Sequence, residues 1–219
     1  MGLWQTLQGE FIFAAAQVKN LQFLCQTWES QNSYAKGVSF YHGFGVCNFY
    51  FHDFLAKLEL AGYAARAPNY RSWQDIRETA ERQAELLDKR LSRQKESLIG
   101  HSQGGLIAVY IAQHYPELVD KVIALGTPFK GTKMAHLVAC CEAGRQMLPG
   151  SDFLEEMADK ELPATVQFYT ISSKYDHLIP QERAVLKEQV NVQNLKAPED
   201  IGHARLITLQ DKIMELLRK

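Results

Sequence analysis

The sequence has no long apolar run, no marked excess of either charge, and no cysteine spacing suited to cross-linking or metal binding. Each absence removes a class of function. The most apolar stretch near the amino terminus, Phe11–Ala16, is broken by Gln17 and Lys19, well short of the roughly 18 residues that a membrane span needs. No basic residue precedes that stretch and Glu10 stands at its edge, so a secretion signal is not expected. Lys and Arg number 24 against 25 Asp and Glu, a net charge of −1. A chain so balanced has no electrostatic pull towards nucleic acid or another polyanion, and a neutral partner is expected instead. The four cysteines, at 25, 47, 140 and 141, contain no Cys-x-x-Cys pair. Adjacent thiols bridge poorly, which fits buried or incidental thiols in a reducing, cytoplasmic setting.

What is present is material for one substantial core: 219 residues, 46% of them hydrophobic. A single main domain over residues 35–219 is expected, preceded by an amphipathic helical segment over 1–34. In that segment Leu3, Leu7, Phe11, Ala14, Val18, Leu21, Cys25 and Trp28 recur at steps of three and four. Such a stripe either docks on the domain or rests on a membrane surface as a peripheral contact, and its few basic residues favour docking. Further on, short apolar runs alternate with helical patterns. Runs at 37–41, 64–65, 96–99, 122–125, 166–171 and 190–192 read as strands. The segments 51–60, 73–91, 105–112 and the one from about Arg205 onward read as covering helices. The alternation predicts an α/β fold with a mostly parallel sheet and helices on both faces. Residues 131–163 carry helical spacing without a strand. There Met134, Leu137, Val138 and Cys141 would form one greasy face, belonging either to a helix packed on the sheet or to a lid over an acyl pocket.

The most informative stretch is Gly100-His101-Ser102-Gln103-Gly104. Glycines two residues either side of the serine permit a sharp strand-to-helix turn that lifts its oxygen clear of the backbone, and the required strand and helix flank it. A serine hydroxyl is a weak nucleophile until a base takes its proton, and the base needs a third group to fix its tautomer. Asp176, in the loop after the 166–171 strand, and His203, in a loop before the last helix, supply these groups in the order serine, acid, histidine. Asp200 and Asp152 compete for the acid's role. The developing oxyanion of acyl transfer needs two converging backbone amides. Gln103, directly after the serine, provides one, and Phe44 in His42-Gly43-Phe44-Gly45 is placed to provide the other.

Together with Leu125-Gly126-Thr127-Pro128-Phe129-Lys130-Gly131-Thr132 and the run from Arg145 to Leu154, these motifs resemble the bacterial triacylglycerol lipases and esterases of the α/β-hydrolase superfamily. The likeness spans roughly residues 38–210. It implies hydrolysis of a neutral ester or lipid, with Ser102 as nucleophile, His203 as base, Asp176 as its partner, and the Phe44 and Gln103 amides as oxyanion hole. No metal or organic cofactor is implied. Many secreted relatives place a calcium-binding aspartate shortly after the catalytic histidine, whereas Ala204 and Arg205 follow here. An acyltransferase using the same triad is the alternative within enzymes, and a catalytically silent hydrolase fold that only binds is the alternative outside them.

Overall fold

The computed structural model describes residues 27–30, 35–90 and 94–219. Seven strands form one sheet: β1 (Trp28–Glu29), β2 (Gly37–Tyr41), β3 (Ala64–Ala67), β4 (Glu96–His101), β5 (Val119–Leu125), β6 (Gln167–Ser172) and β7 (Val192–Lys196). Their order is β1-β3-β2-β4-β5-β6-β7. All neighbouring pairs are parallel except β1 with β3. The expected α/β architecture is therefore the observed one.

Burial on both faces explains why the strands read as continuous apolar runs rather than as alternating ones. Successive side chains point to opposite sides of the sheet. Leu98, Val122 and Phe168 thus enter one core together with α2 (Ile76–Arg90) and α3 (Gln103–His114). Their neighbours Ile99, Ile123 and Tyr169 enter the other, with α1 (His52–Leu60) and α6 (Gln210–Arg218). The α2 stripe of Ile76, Ala80, Ala84 and Leu87 is buried as its spacing predicts. The chain passes outward from β2 to β3 and then reverses, so β4 lies on the other side of β2. At such a reversal the loops leaving the carboxyl ends of two adjacent strands part in opposite directions and open a crevice, the usual ligand position in this kind of sheet.

Several expectations are corrected. The amino-terminal stripe from Leu3 to Cys25 lies outside the described residues, but Trp28, its last member, is in β1 rather than in a helix. Its neighbour Glu29 reaches Arg66 at 3.8 Å and Arg90 at 3.4 Å, and the Trp28 ring meets His52 edge-on at 4.7 Å. Covering the free edge of β3 outweighs helical spacing at this residue. The last helix starts at Gln210, not near Arg205. Residues His203–Thr208 form a 3-10 turn instead, with Leu206 fully buried. Strand β7 begins at Val192, and Val190 is wholly exposed.

In the 131–163 region, Lys133–Val138 is also 3-10, capped by Thr132 through the Met134 amide. Bonds from Ala135 N–H to Thr132 O and from Cys141 N–H to Val138 O tighten the chain. Residues three apart eclipse in that geometry. Met134 and Leu137 consequently share a solvent-facing side, at 41% and 75% exposure, while Val138 and Cys141 are half-buried. The expected single face is not formed. The rest of the region, α4 (Glu142–Gln146) and α5 (Asp152–Asp159), buries Ala143, Met147, Phe153 and Leu154 in the core shared with α2 and α3. Gln113 Nε2 donates to Met157 O and Lys160 O, tying α5 to α3.

Candidate active site

Strand β4 ends at His101, and Ser102 follows with φ 55° and ψ −123°. A non-glycine residue in that region is strained by roughly 1–3 kcal/mol and persists only where its surroundings hold it. Here they do. Ser102 N–H donates to Leu125 O at 2.8 Å, and Gly105 N–H donates to Ser102 O at 3.0 Å. The turn also requires close contact between chains: a Cβ on Gly104 would stand 2.1 Å from Tyr41 O. Glycine at 104 thus lets the start of α3 lie directly on the end of β2, which brings the loop 42–45 against the serine.

Ser102 is half-buried and therefore reachable from solvent. The Gln103 amide opens α3 and is one of the four that no helical carbonyl can satisfy. On the other loop, Phe44 lies in the turn after His42-Gly43, and a Cβ on Gly43 would come 3.1 Å from Ser102 Cβ. The turn that carries Phe44 therefore lies against the serine, and Gln103 follows it directly.

The structure brings Asp176 and His203 together. His203 Nδ1 is 2.6 Å from Asp176 Oδ2, with both side chains almost fully buried. A carboxylate only accepts, so Nδ1 carries the proton and Nε2 is left free to take one. The other carboxylate oxygen, Asp176 Oδ1, accepts the amides of Leu178 and Ile179 at 2.9 and 2.7 Å, fixing the plane of the group. Gly126, at φ 55°, makes room underneath: a Cβ there would lie 3.1 Å from both Asp176 Oδ2 and His203 Nδ1. Neither competitor is so placed. Asp152 is exposed at the start of α5, and Asp200 sits in a turn at φ 70°, where its carbonyl accepts from Arg205.

Several supporting residues carry no sequence signal of their own. His101 Nε2 lies 3.1 Å from His203 O, and Tyr50 Oη donates to Ala204 O at 2.8 Å. Ser173 Oγ donates to Ile201 O. The loop bearing His203 is thereby held along its length. Burial, reinforced by neighbouring His203, pushes His101 down to about 3, and burial pushes His42 down to about 4. Both are neutral hydrogen-bonding groups at ordinary pH. Of Met134, Leu137 and Val138, expected near an acyl pocket, the first two face solvent and Val138 is half-buried. Among the described residues no cluster of His, Cys, Asp and Glu suits a metal ion, and no helix is long and apolar enough to cross a membrane.

The sequence profile of the alpha/beta hydrolase fold matches residues 62–139. A triacylglycerol lipase of Pseudomonas fragi is 32% identical over 89 residues, covering 39% of this chain and 30% of that one. One from Pseudarthrobacter phenanthrenivorans is 50% identical over 44 residues, covering 20% and 14%. The matched stretches span less than a third of these relatives. Among solved structures, a Bacillus licheniformis lipase in its mature form superposes with a TM-score of 0.69 at 15% identity, over 88% of this chain and 97% of that one. A monoacylglycerol lipase of Paleococcus ferrophilus gives 0.65 at 15% identity, over 88% and 97%. The sheet order, the strained turn after β4 and these likenesses agree: the chain has the alpha/beta hydrolase fold and is similar to bacterial lipases and esterases that share it.

Proposed function

We propose that this protein hydrolyses carboxylic esters through an acyl-serine intermediate on Ser102. The observation that carries the reading is the 2.6 Å pair between His203 Nδ1 and Asp176 Oδ2, close to the strained turn of Ser102, whose neighbour His101 lies 3.1 Å from His203 O. His203 Nε2 takes the Ser102 proton as Oγ attacks the ester carbonyl, and the carbonyl oxygen becomes an oxyanion facing the Phe44 and Gln103 amides. Collapse breaks the ester C–O bond, and the proton on His203 goes to the departing alcohol. Water then repeats the cycle: His203 takes its proton, the acid is released, and Ser102 regains its hydrogen. Asp176 stays ionised throughout and stabilises the imidazolium. The free thiols of Cys47, Cys140 and Cys141 support work in a reducing, cytoplasmic compartment. Met134, Leu137 and Val138, borne by the segment 131–163, contact the acyl chain of the substrate.

Two measurements test the reading. A fluorophosphonate should label Ser102 covalently, and p-nitrophenyl esters of increasing chain length should be turned over, with the best length reporting the pocket. Absence of labelling and of turnover across the series would leave a binding protein on a hydrolase fold. A preference for added alcohol over water as acceptor would make it an acyltransferase.

A further inference from the structure

We propose that the segment Tyr70–Ser72, which follows β3, is a positioning element that sets the aim of both oxyanion donors. The proposal rests on the ester-hydrolysis reading above. An oxyanion hole works only if its two N–H groups point at one spot before the charge appears there. In this chain the two donors belong to different turns, one after β2 and one after β4, and no covalent link fixes their separation.

Ser72 joins them. Its Oγ accepts the Gly45 amide at 2.8 Å, pinning the turn that carries Phe44. Its carbonyl accepts Gln103 Nε2 at 2.8 Å, pinning the first residue of α3. Ser72 is only 3% exposed, so water cannot easily replace either bond. Two residues earlier, Tyr70 stacks its ring on buried His42 at 3.9 Å and 10°, and its Oη donates to His42 O. The Tyr70 amide also approaches His42 Nε2 at 3.4 Å, while His42 Nδ1 faces Gly43 O at 3.0 Å. A neutral imidazole with its proton on Nδ1 satisfies both contacts. Three residues of backbone therefore hold the loop 42–45 from two sides and α3 from a third. The two donors move as one body. Tyr70 and Ser72 are positioning residues: they act through the loop and helix that carry the donors.

The test uses Ser72→Ala and Tyr70→Phe in the full chain. Misaiming a donor weakens the transition state and spares the ground state, so kcat on p-nitrophenyl butyrate should fall about 10- to 100-fold in Ser72→Ala and about 3- to 10-fold in Tyr70→Phe, with KM changed less than about twofold. Inhibition by a trifluoromethyl ketone, whose hemiketal oxyanion occupies the same hole, should weaken by the same factors. Hydrogen exchange at the Gly45 amide should accelerate in Ser72→Ala without a matching loss of global stability. If kcat and ketone affinity stay within about twofold of wild type in both variants, the proposal is overturned. Tyr70→Phe keeps the ring stack and remains informative if Ser72→Ala does not fold. Should wild type itself turn over no ester, the functional reading fails, and Gly45 exchange alone then decides whether Ser72 pins the loop.

Discussion

The two sides of Ser102 are built from different chemistry. On the proposed donor side, the turns after β2 and β4 are held by backbone packed on glycine and by neutral hydrogen bonds, with His42 and His101 kept uncharged by burial. On the proposed base side, the turns after β6 and β7 are held by a buried carboxylate and imidazole at 2.6 Å. The difference follows from what each side must do. Donors must stay aimed while charge appears in front of them, and a fixed full charge beside them would compete for the same field. The base must become charged in mid-reaction, so a counter-charge has to be waiting.

Removing the base side should have the largest effect. Ser102→Ala or His203→Ala should lower kcat on a soluble ester by on the order of 10⁶, leaving only binding and oxyanion stabilisation. The proteins should still fold, as circular dichroism would show. A folded Ser102→Ala protein with near-wild-type turnover would break the assignment. Next, Asp176→Asn should cost on the order of 10⁴ in kcat, because an amide holds the wrong tautomer of His203. The corresponding changes at Asp200 and Asp152 should cost little. A dead Asp200 variant would move the acid from the loop after β6 to the loop after β7, which leads into His203.

The donor side is best probed by pH. His42 and His101 have folded values of about 4 and about 3, below the ordinary histidine value near 6.5. Between those limits the unfolded chain binds protons that the folded chain refuses. Stability present above about pH 6.5 should therefore be lost on acidification, by about 1.4 kcal/mol per pH unit for each histidine. Urea midpoints from pH 7 to pH 4.5 would measure the slope, and His42→Gln should flatten it. A midpoint independent of pH over that range would contradict burial of neutral imidazoles. The smallest effect is expected from chelation. No carboxylate lies between His203 and Asp211, and calcium needs several oxygen ligands. Activity should be unchanged by EDTA, and loss restored by calcium would show that ligands come from elsewhere.

The same contrast explains what could be read before the fold was known. Ser102 announces itself because glycines at fixed offsets have few other uses between a strand and a helix. Asp176 and His203 follow from chain order and from lying where strands end. Ser72 could not be found that way. It contacts residues far along the chain in both directions, and the contact is set by how the crossover after β3 returns to the sheet, which has no sequence period. Nor does the sequence show that Gly126 leaves space beneath the Asp176–His203 pair, where a Cβ would lie 3.1 Å from both side chains. Trp28 failed for the opposite reason: a local period was present, but pairing with the exposed edge of β3 outweighed it. At Lys133–Val138 the spacing was right for an α-helix, yet the chain took the tighter 3-10 turn.

The backbone at Ser102 has a consequence for how this protein is improved or ruined. With φ at 55°, glycine would sit there more comfortably than serine does. A search for thermostable variants would therefore drift towards a sturdier protein with no nucleophile. Selection by heat and selection by turnover pull in opposite directions at this residue, and a sequence that still has serine there records which of them won.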